Sequence, residues 1–117
     1  MVMQLNETAV RKAKSLIANR QYVLDSSWAT AQPTAEAEND FLDRHGWKAY
    51  GEWHLGLDPD TSEETKERYT FPYGEFRRVH RSGLIAAKQR ASQYGHTEVA
   101  KAADALLELL DASKSSH

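Results

Sequence analysis

The chain has 117 residues and a mass of 13.2 kDa, a size typical of one domain rather than two. It contains no cysteine, which excludes disulfides, thiolate metal ligands and a cysteine nucleophile. Hydrophobic residues make up 40% and charged residues 27% of the sequence, a globular composition, and no apolar run approaches the roughly 20 residues of a membrane span. We therefore expect a soluble, cytoplasmic protein with one domain at residues 1–112 and a flexible tail at residues 113–117.

The charged residues are distributed unevenly along the chain. Residues 26–67 carry three basic and ten acidic side chains, whereas residues 68–96 carry six basic side chains and one acidic one. Two interpretations are open at this point. The two segments neutralise each other across the fold, or the basic segment faces an anionic partner while the acidic segment keeps the protein in solution.

Apolar residues at three- and four-residue spacing predict two helices in the first half of the chain. The first covers residues 7–19 and has Asn6 as its N-cap. The second covers residues 35–45, with Thr34 as its cap and Gly46 ending it in the left-handed conformation. We expect the core face of this second helix to consist of Ala37, Phe41 and Leu42.

Two short strands are predicted in the middle of the chain. Residues 52–57 alternate between polar and apolar side chains, which is typical of a half-buried strand. Residues 69–73 form the second strand, and Pro72 confines it to a sheet edge or a strand end because proline cannot donate a ladder hydrogen bond. Between them, a capping pattern predicts a short helical turn over residues 60–67.

Two further helices are predicted before the end of the chain. One covers residues 83–94 and is terminated by Gly95, and the other covers residues 98–112 with Thr97 as its cap. The predicted fold class is therefore α-rich (α+β), with about four helices around one core and a minor two-strand β-element. We expect the first, third and fourth helices to pack around Trp53, Phe71 and Leu84.

Signatures of catalysis are weak in this sequence. The glycines are isolated rather than grouped into a phosphate-binding loop, and the histidines lack the spacing of metal ligands. We therefore predict no catalytic residue, no metal site and no cofactor. An enzyme using His54 or His80 as a general base remains an alternative of lower rank.

The basic segment supplies the leading functional hypothesis. It mixes arginines with aromatic side chains, the residue types that dominate binding hot spots, and Trp28 stands in a loop-like segment that predicts an exposed anchor. We expect a non-catalytic binding or accessory domain that contacts an unknown protein partner through an aromatic and arginine surface. The candidate binding residues are Trp28, Tyr73, Phe76, Arg77, Arg78, Arg81, Lys88 and Arg90.

Two other partners stay open. The same arginines could contact the phosphates of a nucleic acid over residues 77–90. The last two predicted helices invite comparison with a helix-turn-helix, but the second of them carries four acidic side chains that phosphates would repel. Leu109 lies off the apolar face of the last helix, so a homodimer is also open.

Residues 68–110 resemble a set of small uncharacterised bacterial proteins, through a Phe-Pro-Tyr-Gly turn, an Arg-Ser-Gly-Leu-Ile-Ala-Ala-Lys-Gln-Arg helix and an Ala-Ala-Asp-x-Leu-Leu helix. A looser resemblance is to the module that accompanies some phage capsid-maturation proteases and head proteins. The resemblance implies a compact packing unit of a turn and two helices, and it carries over no catalytic residue. The matching positions are Tyr69, Pro72, Gly74, Ala86, Ala87, Arg90, Ala91, Leu106 and Leu110.

Overall fold

Helices dominate the part of the chain that the computed structural model describes, residues 3–115. Five α-helices lie within these residues: α1 (Glu7–Ala18), α2 (Trp28–Ala31), α3 (Ala35–Gly51), α4 (Arg81–Gln93) and α5 (Thr97–Lys114). The strands are short: β1 (Gln4–Leu5), β2 (Tyr22–Val23), β3 (His54–Leu57), β4 (Tyr69–Pro72) and β5 (Val79–His80). The predicted fold class, α+β and rich in helix, is confirmed.

The larger sheet has β3 at its centre. Strands β1 and β4 pair with it antiparallel on either side, so that Gly56 faces Leu5 in one ladder and Thr70 in the other. Strand β4 is therefore an edge strand, and Pro72 is its last residue. Both predicted strands are confirmed, together with the predicted position of the proline, because an edge strand leaves one row of N–H groups unpaired.

A second, two-stranded sheet was not predicted from the sequence. Strand β2 pairs in parallel with β5, and Tyr22 lies opposite Val79. Strands of two residues contain too little alternation to produce a sequence pattern. The β-content is therefore larger than the single two-strand element that we expected.

The core lies between the larger sheet and helices α1, α4 and α5. Trp53, Phe71 and Leu84 are all buried in it, as predicted. Small side chains also belong to this core, since Ala13 of α1 and Ala91 of α4 are fully buried. The apolar face of α5 closes the core with Val99, Ala103, Leu106, Leu107 and Leu110.

The predicted N-cap of α1 is correct in position but not in chemistry. Asn6 precedes the helix, yet its side chain makes no capping bond. Its buried amide instead donates to the carbonyl oxygens of Gly51 at 2.9 Å and His54 at 3.1 Å. Asn6 thus connects the start of α1 to the end of α3 and the start of β3.

Helix α3 confirms the predicted break at Gly46, where the φ angle is +83°. Thr34 caps the helix as predicted and accepts a hydrogen bond from the backbone N–H of Ala37. The helix resumes after the break, however, and continues to Gly51. The predicted core face is wrong in part, because Ala37 is exposed and Phe41 and Leu42 are only partly buried. The buried residue of this helix with a large side chain is Tyr50.

The predicted helical turn over residues 60–67 is wrong over most of its length, since only Lys66 and Glu67 of this range are helical. The side chain of Asp58 accepts a hydrogen bond from the backbone N–H of Asp60 at 2.9 Å, an arrangement that competes with helix formation. A single 3₁₀ turn forms later, at Lys66–Arg68.

The last two helices are longer than predicted. Helix α4 begins at Arg81, and Gly95 follows its end with a φ angle of +76°. Helix α5 includes Thr97, so His96 occupies the N-cap position in its place. The first two residues of the predicted tail, 113 and 114, are helical, and residues 116–117 lie outside the described residues. Among residues 3–115, no helix is both long and apolar enough to cross a membrane.

Candidate binding site

A cavity of about 310 Å³ lies between α2, β4 and α4. Trp28 forms one wall, Phe71 and Pro72 the floor, and Ala87 the side that belongs to α4. The remaining lining residues are Met3, Gln32, Thr70, Ala86, Arg90, Tyr94 and His96. The cavity is thus mainly apolar and aromatic, with a few polar groups, which is the usual composition of ligand-binding sites.

Trp28 is seated on α4 because Gly83 has no side chain. A Cβ atom at position 83 would lie 2.9 Å from Cζ3 of the indole and 2.7 Å from the carbonyl oxygen of Tyr73. Trp28 is therefore partly buried and part of a short helix, which corrects the prediction that it is an exposed anchor in a loop. The indole also lies near the ring of His80, with centroids 5.9 Å apart.

Phe71, which lines the cavity, has an unusual backbone conformation. Phe71 has a φ angle of +62° and is 91% buried. Its ring meets that of His96 edge to face, with centroids 5.7 Å apart and planes at 70°. This contact links β4 to the start of α5 beneath the cavity.

The cavity lining contains the guanidinium of Arg90 and no carboxylate. The imidazole of His96 also lines the cavity. Arg90 is exposed and has no ion-pair partner among residues 3–115. Beside it, Tyr94 exposes 62% of its surface, the most of the exposed large hydrophobic residues in the described chain.

Two of the aromatic residues predicted to form the surface lie inside. Tyr73 is fully buried, and its hydroxyl donates to the carbonyl oxygen of Glu52 at 2.8 Å. Phe76 is partly buried and stacks on Phe41 with centroids 4.4 Å apart. Neither ring is placed to contact a partner, because each is used by the core.

Three of the predicted basic residues are paired with the chain's own carboxylates. Lys88 Nζ lies 2.7 Å from Oδ1 of Asp104, and Arg78 Nε lies 3.5 Å from Oε1 of Glu75. The third pair, Arg81 with Asp111, is bidentate, with distances of 2.9 and 3.1 Å. Hydrogen bonds from the Arg81 guanidinium hold the pKa of the Asp111 carboxyl below its usual range. The three cations are thus neutralised within the chain, but by carboxylates of α5 and of the basic segment itself. These pairs do not provide the neutralisation by residues 26–67 that the first interpretation of the charge pattern expected.

Of the eight predicted site residues, only Trp28 and Arg90 come together, at the cavity. Arg77 is exposed and has no ion-pair partner among the described residues, but it follows Phe76 on a different segment and does not line the cavity. Of the predicted aromatic and arginine surface, two members therefore lie together at the cavity. Sequence reasoning missed Phe71, Tyr94 and His96 as lining residues, and only Tyr94, an aromatic beside the helix-ending Gly95, carried a signal.

The two histidines that we singled out have different environments. Burial lowers the pKa of His54 to about 4, and its Nδ1–H donates to the carbonyl oxygen of Tyr50 at 3.0 Å. No carboxylate within residues 3–115 pairs with its ring. His80 is also buried, but its Nε2 lies 3.4 Å from a carboxylate oxygen of Glu75. The described residues contain no group of three side chains placed to hold a metal ion.

Comparison with protein-family models, with curated proteins and with solved structures found no match for this chain.

Proposed function

We propose that this chain is a binding domain that recognises a segment of a partner protein in the cavity beside Trp28. An apolar side chain of the partner enters between Trp28 and Phe71, and a neighbouring carboxylate of the partner pairs with Arg90. The partner segment is therefore acidic and carries at least one aromatic or branched aliphatic side chain.

One observation carries this proposal: an unpaired arginine borders an apolar cavity that no carboxylate lines. The other cations that the sequence singled out on α4 are paired within the chain, Arg81 with Asp111 and Lys88 with Asp104. Arg90 is thus the member of this set that retains its full capacity to bind a carboxylate. Arginine binds carboxylates with paired, directional hydrogen bonds, so it adds orientation to the apolar contact.

The lining favours a protein partner over a small polar metabolite. Tryptophan, tyrosine and arginine are the residue types most enriched among energetic hot spots of protein interfaces. Trp28, Tyr94 and Arg90 provide one of each around a cavity of about 310 Å³, which accommodates one or two large side chains. The exposed ring of Tyr94 extends the contact surface beyond the cavity mouth.

The pattern of ion pairs disfavours a nucleic acid as the partner. Phosphate-binding surfaces need several unpaired cations in a row, since each phosphate contact contributes separately to affinity. Here Arg78, Arg81 and Lys88 each face a carboxylate of the chain. Arg77 and Arg90 lie on different segments, so they do not form such a row.

Selection from a random peptide library displayed on phage tests the proposal. We expect the wild-type protein to enrich peptides in which an aromatic or branched aliphatic residue neighbours Asp or Glu. The variants Trp28→Ala and Arg90→Glu should lose these peptides. The matched control is Arg77→Glu, the same charge reversal at an exposed arginine outside the cavity, which should retain them.

Two results would overturn the proposal. One is selection of the same peptides by wild type and Arg90→Glu, and the other is enrichment of peptides without acidic residues. A single-stranded oligonucleotide of mixed sequence distinguishes the nucleic-acid alternative. If this probe binds with a steep salt dependence and both arginine variants weaken it equally, phosphates and not a protein segment are the ligand.

Three lesser parts of the proposal rest on the sequence. We keep the cytoplasmic location, which the absence of cysteine supports, and membership of the set of small bacterial proteins that residues 68–110 resemble. A homodimer through the last helix is supported by Leu109, which exposes 41% of its surface. None of the three changes the assignment of the cavity.

A further inference from the structure

Three side chains that do not line the cavity form a connected chain of polar contacts. Ser26 Oγ lies 2.8 Å from Nδ1 of His80, and Nε2 of the same ring lies 3.4 Å from Oε1 of Glu75. A serine, an imidazole and a carboxylate in this order are the groups that activate a serine nucleophile in many unrelated folds. The sequence places them far apart, at positions 26, 80 and 75, so no local motif reveals them.

Glu75 favours one tautomer of the imidazole. The carboxylate can only accept, so the proton of a neutral His80 belongs on Nε2, which faces it. Nδ1 then carries the free lone pair and accepts the hydrogen bond from the Ser26 hydroxyl. The contact between Nε2 and the carboxylate is not aligned as a hydrogen bond, and Nε2 is a buried nitrogen without such a bond among the described residues. Catalytic hydrogen bonds are often long in free enzymes and shorten when substrate binds.

Ser26 is the accessible member of the cluster. It is partly exposed, while the ring of His80 is 95% buried, next to Trp28. A second hydroxyl, Ser82 Oγ, lies 2.8 Å from Ser26 Oγ. Ser82 belongs to the first turn of α4, a helix of 13 residues, so Ser26 Oγ lies close to the positive end of that helix. Negative charge that develops beside Ser26 is favoured at this position.

We propose that Ser26 is a nucleophile for acyl transfer from small carboxylic esters, with His80 as its general base and Glu75 as a positioning residue. Ser26 Oγ adds to the ester carbonyl carbon and its proton passes to Nδ1 of His80. The carbon–oxygen bond to the alcohol then breaks, and the departing oxygen takes the proton from Nδ1. Water adds to the acyl carbon in the same way, and release of the acid restores the Ser26 hydroxyl.

This activity goes beyond the proposed binding function and does not depend on it. Arg90 and Tyr94, which carry the binding proposal, are not part of the serine cluster. A fall in activity on changing Ser26 therefore leaves the peptide-binding test unaffected. Trp28 is shared by both sites and is left unchanged in the activity test for that reason.

Labelling with a fluorophosphonate probe, followed by peptide mass spectrometry, tests whether Ser26 is activated. The probe forms a bond between phosphorus and the serine oxygen, and fluoride leaves. We expect the full chain to be labelled at Ser26 and the variant Ser26→Ala to lose the label. The matched control is Ser82→Ala, which removes the neighbouring hydroxyl but leaves the contact of Ser26 with His80.

Hydrolysis of p-nitrophenyl acetate then separates chemistry from structure. We expect an initial burst of p-nitrophenolate, an acetyl group on the peptide that contains Ser26, and a loss of about 100-fold in rate for His80→Asn. Glu75→Gln keeps an acceptor for the backbone N–H of Arg78, which now lies 2.9 Å from Oε1. This variant should lower kcat without changing KM, whereas a merely structural role for Glu75 would lower thermal stability and leave kcat of the folded protein unchanged.

The proposal is overturned if Ser26 carries no probe or acetyl group under conditions that label a known serine hydrolase. It is also overturned if His80→Asn, folded as judged by circular dichroism, reacts as fast as the wild type. Equal labelling of several exposed serines would have the same meaning, because it would show that Ser26 is not specifically activated.

Discussion

Phe41 and Phe76 stack with ring centroids 4.4 Å apart and planes inclined by only 12°. The contact joins α3 to the loop that carries Glu75, and it is made although Phe76 has a left-handed backbone with a φ angle of +69°. A side chain other than glycine is disfavoured in that conformation by roughly 1–2 kcal/mol. The stacked rings therefore hold the loop in a conformation that its backbone alone does not favour.

At position 76, the glycine variant should be more stable than the alanine variant, which is the reverse of the usual order of stability. Both variants lose the ring contact, but glycine also relieves the left-handed strain, so Phe76→Gly should be more stable than Phe76→Ala by about 1 kcal/mol. Urea unfolding measures the difference. The control pair is Phe41→Gly and Phe41→Ala, where the site is helical and alanine should be the more stable by about 1 kcal/mol. The same order at both positions would contradict the prediction.

Gly83→Ala should destabilise the protein despite its position in a helix. Alanine is favoured over glycine inside helices by about 1 kcal/mol, but here the new Cβ would lie 2.7 Å from the carbonyl oxygen of Tyr73 and 2.9 Å from the Trp28 ring. Overpacking of this kind costs typically about 1–3 kcal/mol. Thermal unfolding should show a lower Tm than the wild type, whereas the exposed control Ser92→Ala on the same helix should raise it slightly. A gain in stability for Gly83→Ala would mean that Trp28 is not held against α4.

The buried His54 should make the protein sensitive to mild acid. The pKa of His54 is about 4 in the folded protein, whereas an unperturbed histidine, as in the unfolded chain, has a pKa of 6.5. Between these pH values the unfolded chain therefore binds the proton more readily. The contribution of the neutral His54 to the free energy of unfolding is fully present above pH 6.5. It is lost as the pH falls toward 4, by at most about 3 kcal/mol. Urea unfolding as a function of pH measures this loss.

The matched variants for His54 isolate its contribution from that of the carboxyl groups. His54→Asn retains an N–H donor for the carbonyl oxygen of Tyr50 and cannot be protonated, so its stability should change less between pH 6.5 and 4 than that of the wild type. His45→Asn, at an exposed position, should follow the wild-type curve. Parallel curves for the wild type and His54→Asn would contradict the assignment of His54 as neutral.

The pair of Arg81 and Asp111 should contribute modestly to stability. Both side chains are about one-third exposed, so solvent screens the interaction and the coupling should be about 0.5–1 kcal/mol in a double-mutant cycle with Arg81→Gln and Asp111→Asn. The coupling should be present at neutral pH and fall in acid, because protonation of Asp111 removes the charge whose pKa Arg81 lowers. The more exposed pair of Arg44 and Asp40 serves as control and should show a smaller coupling. Equal couplings in the two pairs would contradict the prediction.

The long elements of this fold could be predicted from the sequence because each buries a continuous stripe. The face of α5 repeats at Val99, Ala103, Leu106 and Leu110, so its pattern is contained in one continuous segment of the sequence. Strands β1, β2 and β5 have two residues each and exist only because a distant segment completes their hydrogen bonds. Information of that kind is not contained in any local window of the sequence.

The candidate sites could be predicted only in part, for a related reason. The composition of the basic segment drew attention to Arg90, but whether an arginine is free of an ion pair depends on carboxylates elsewhere in the fold. Asp111 lies 30 positions from Arg81, and Asp104 lies 16 positions from Lys88. The contact of Ser26 with His80, 54 positions apart, has the same origin.

The parallel pairing of Tyr22 with Val79 has a consequence for how the chain acquires its structure. Nearly half of the sequence lies between the two partners, and the pairing closes a loop of that length at a high entropic cost. Such a topology slows folding relative to helical bundles of equal size, because the stabilising contacts form only after the two ends of the loop have met. During synthesis, α1 therefore cannot bury its alanines in the complete core until α5, the last described helix, has been made.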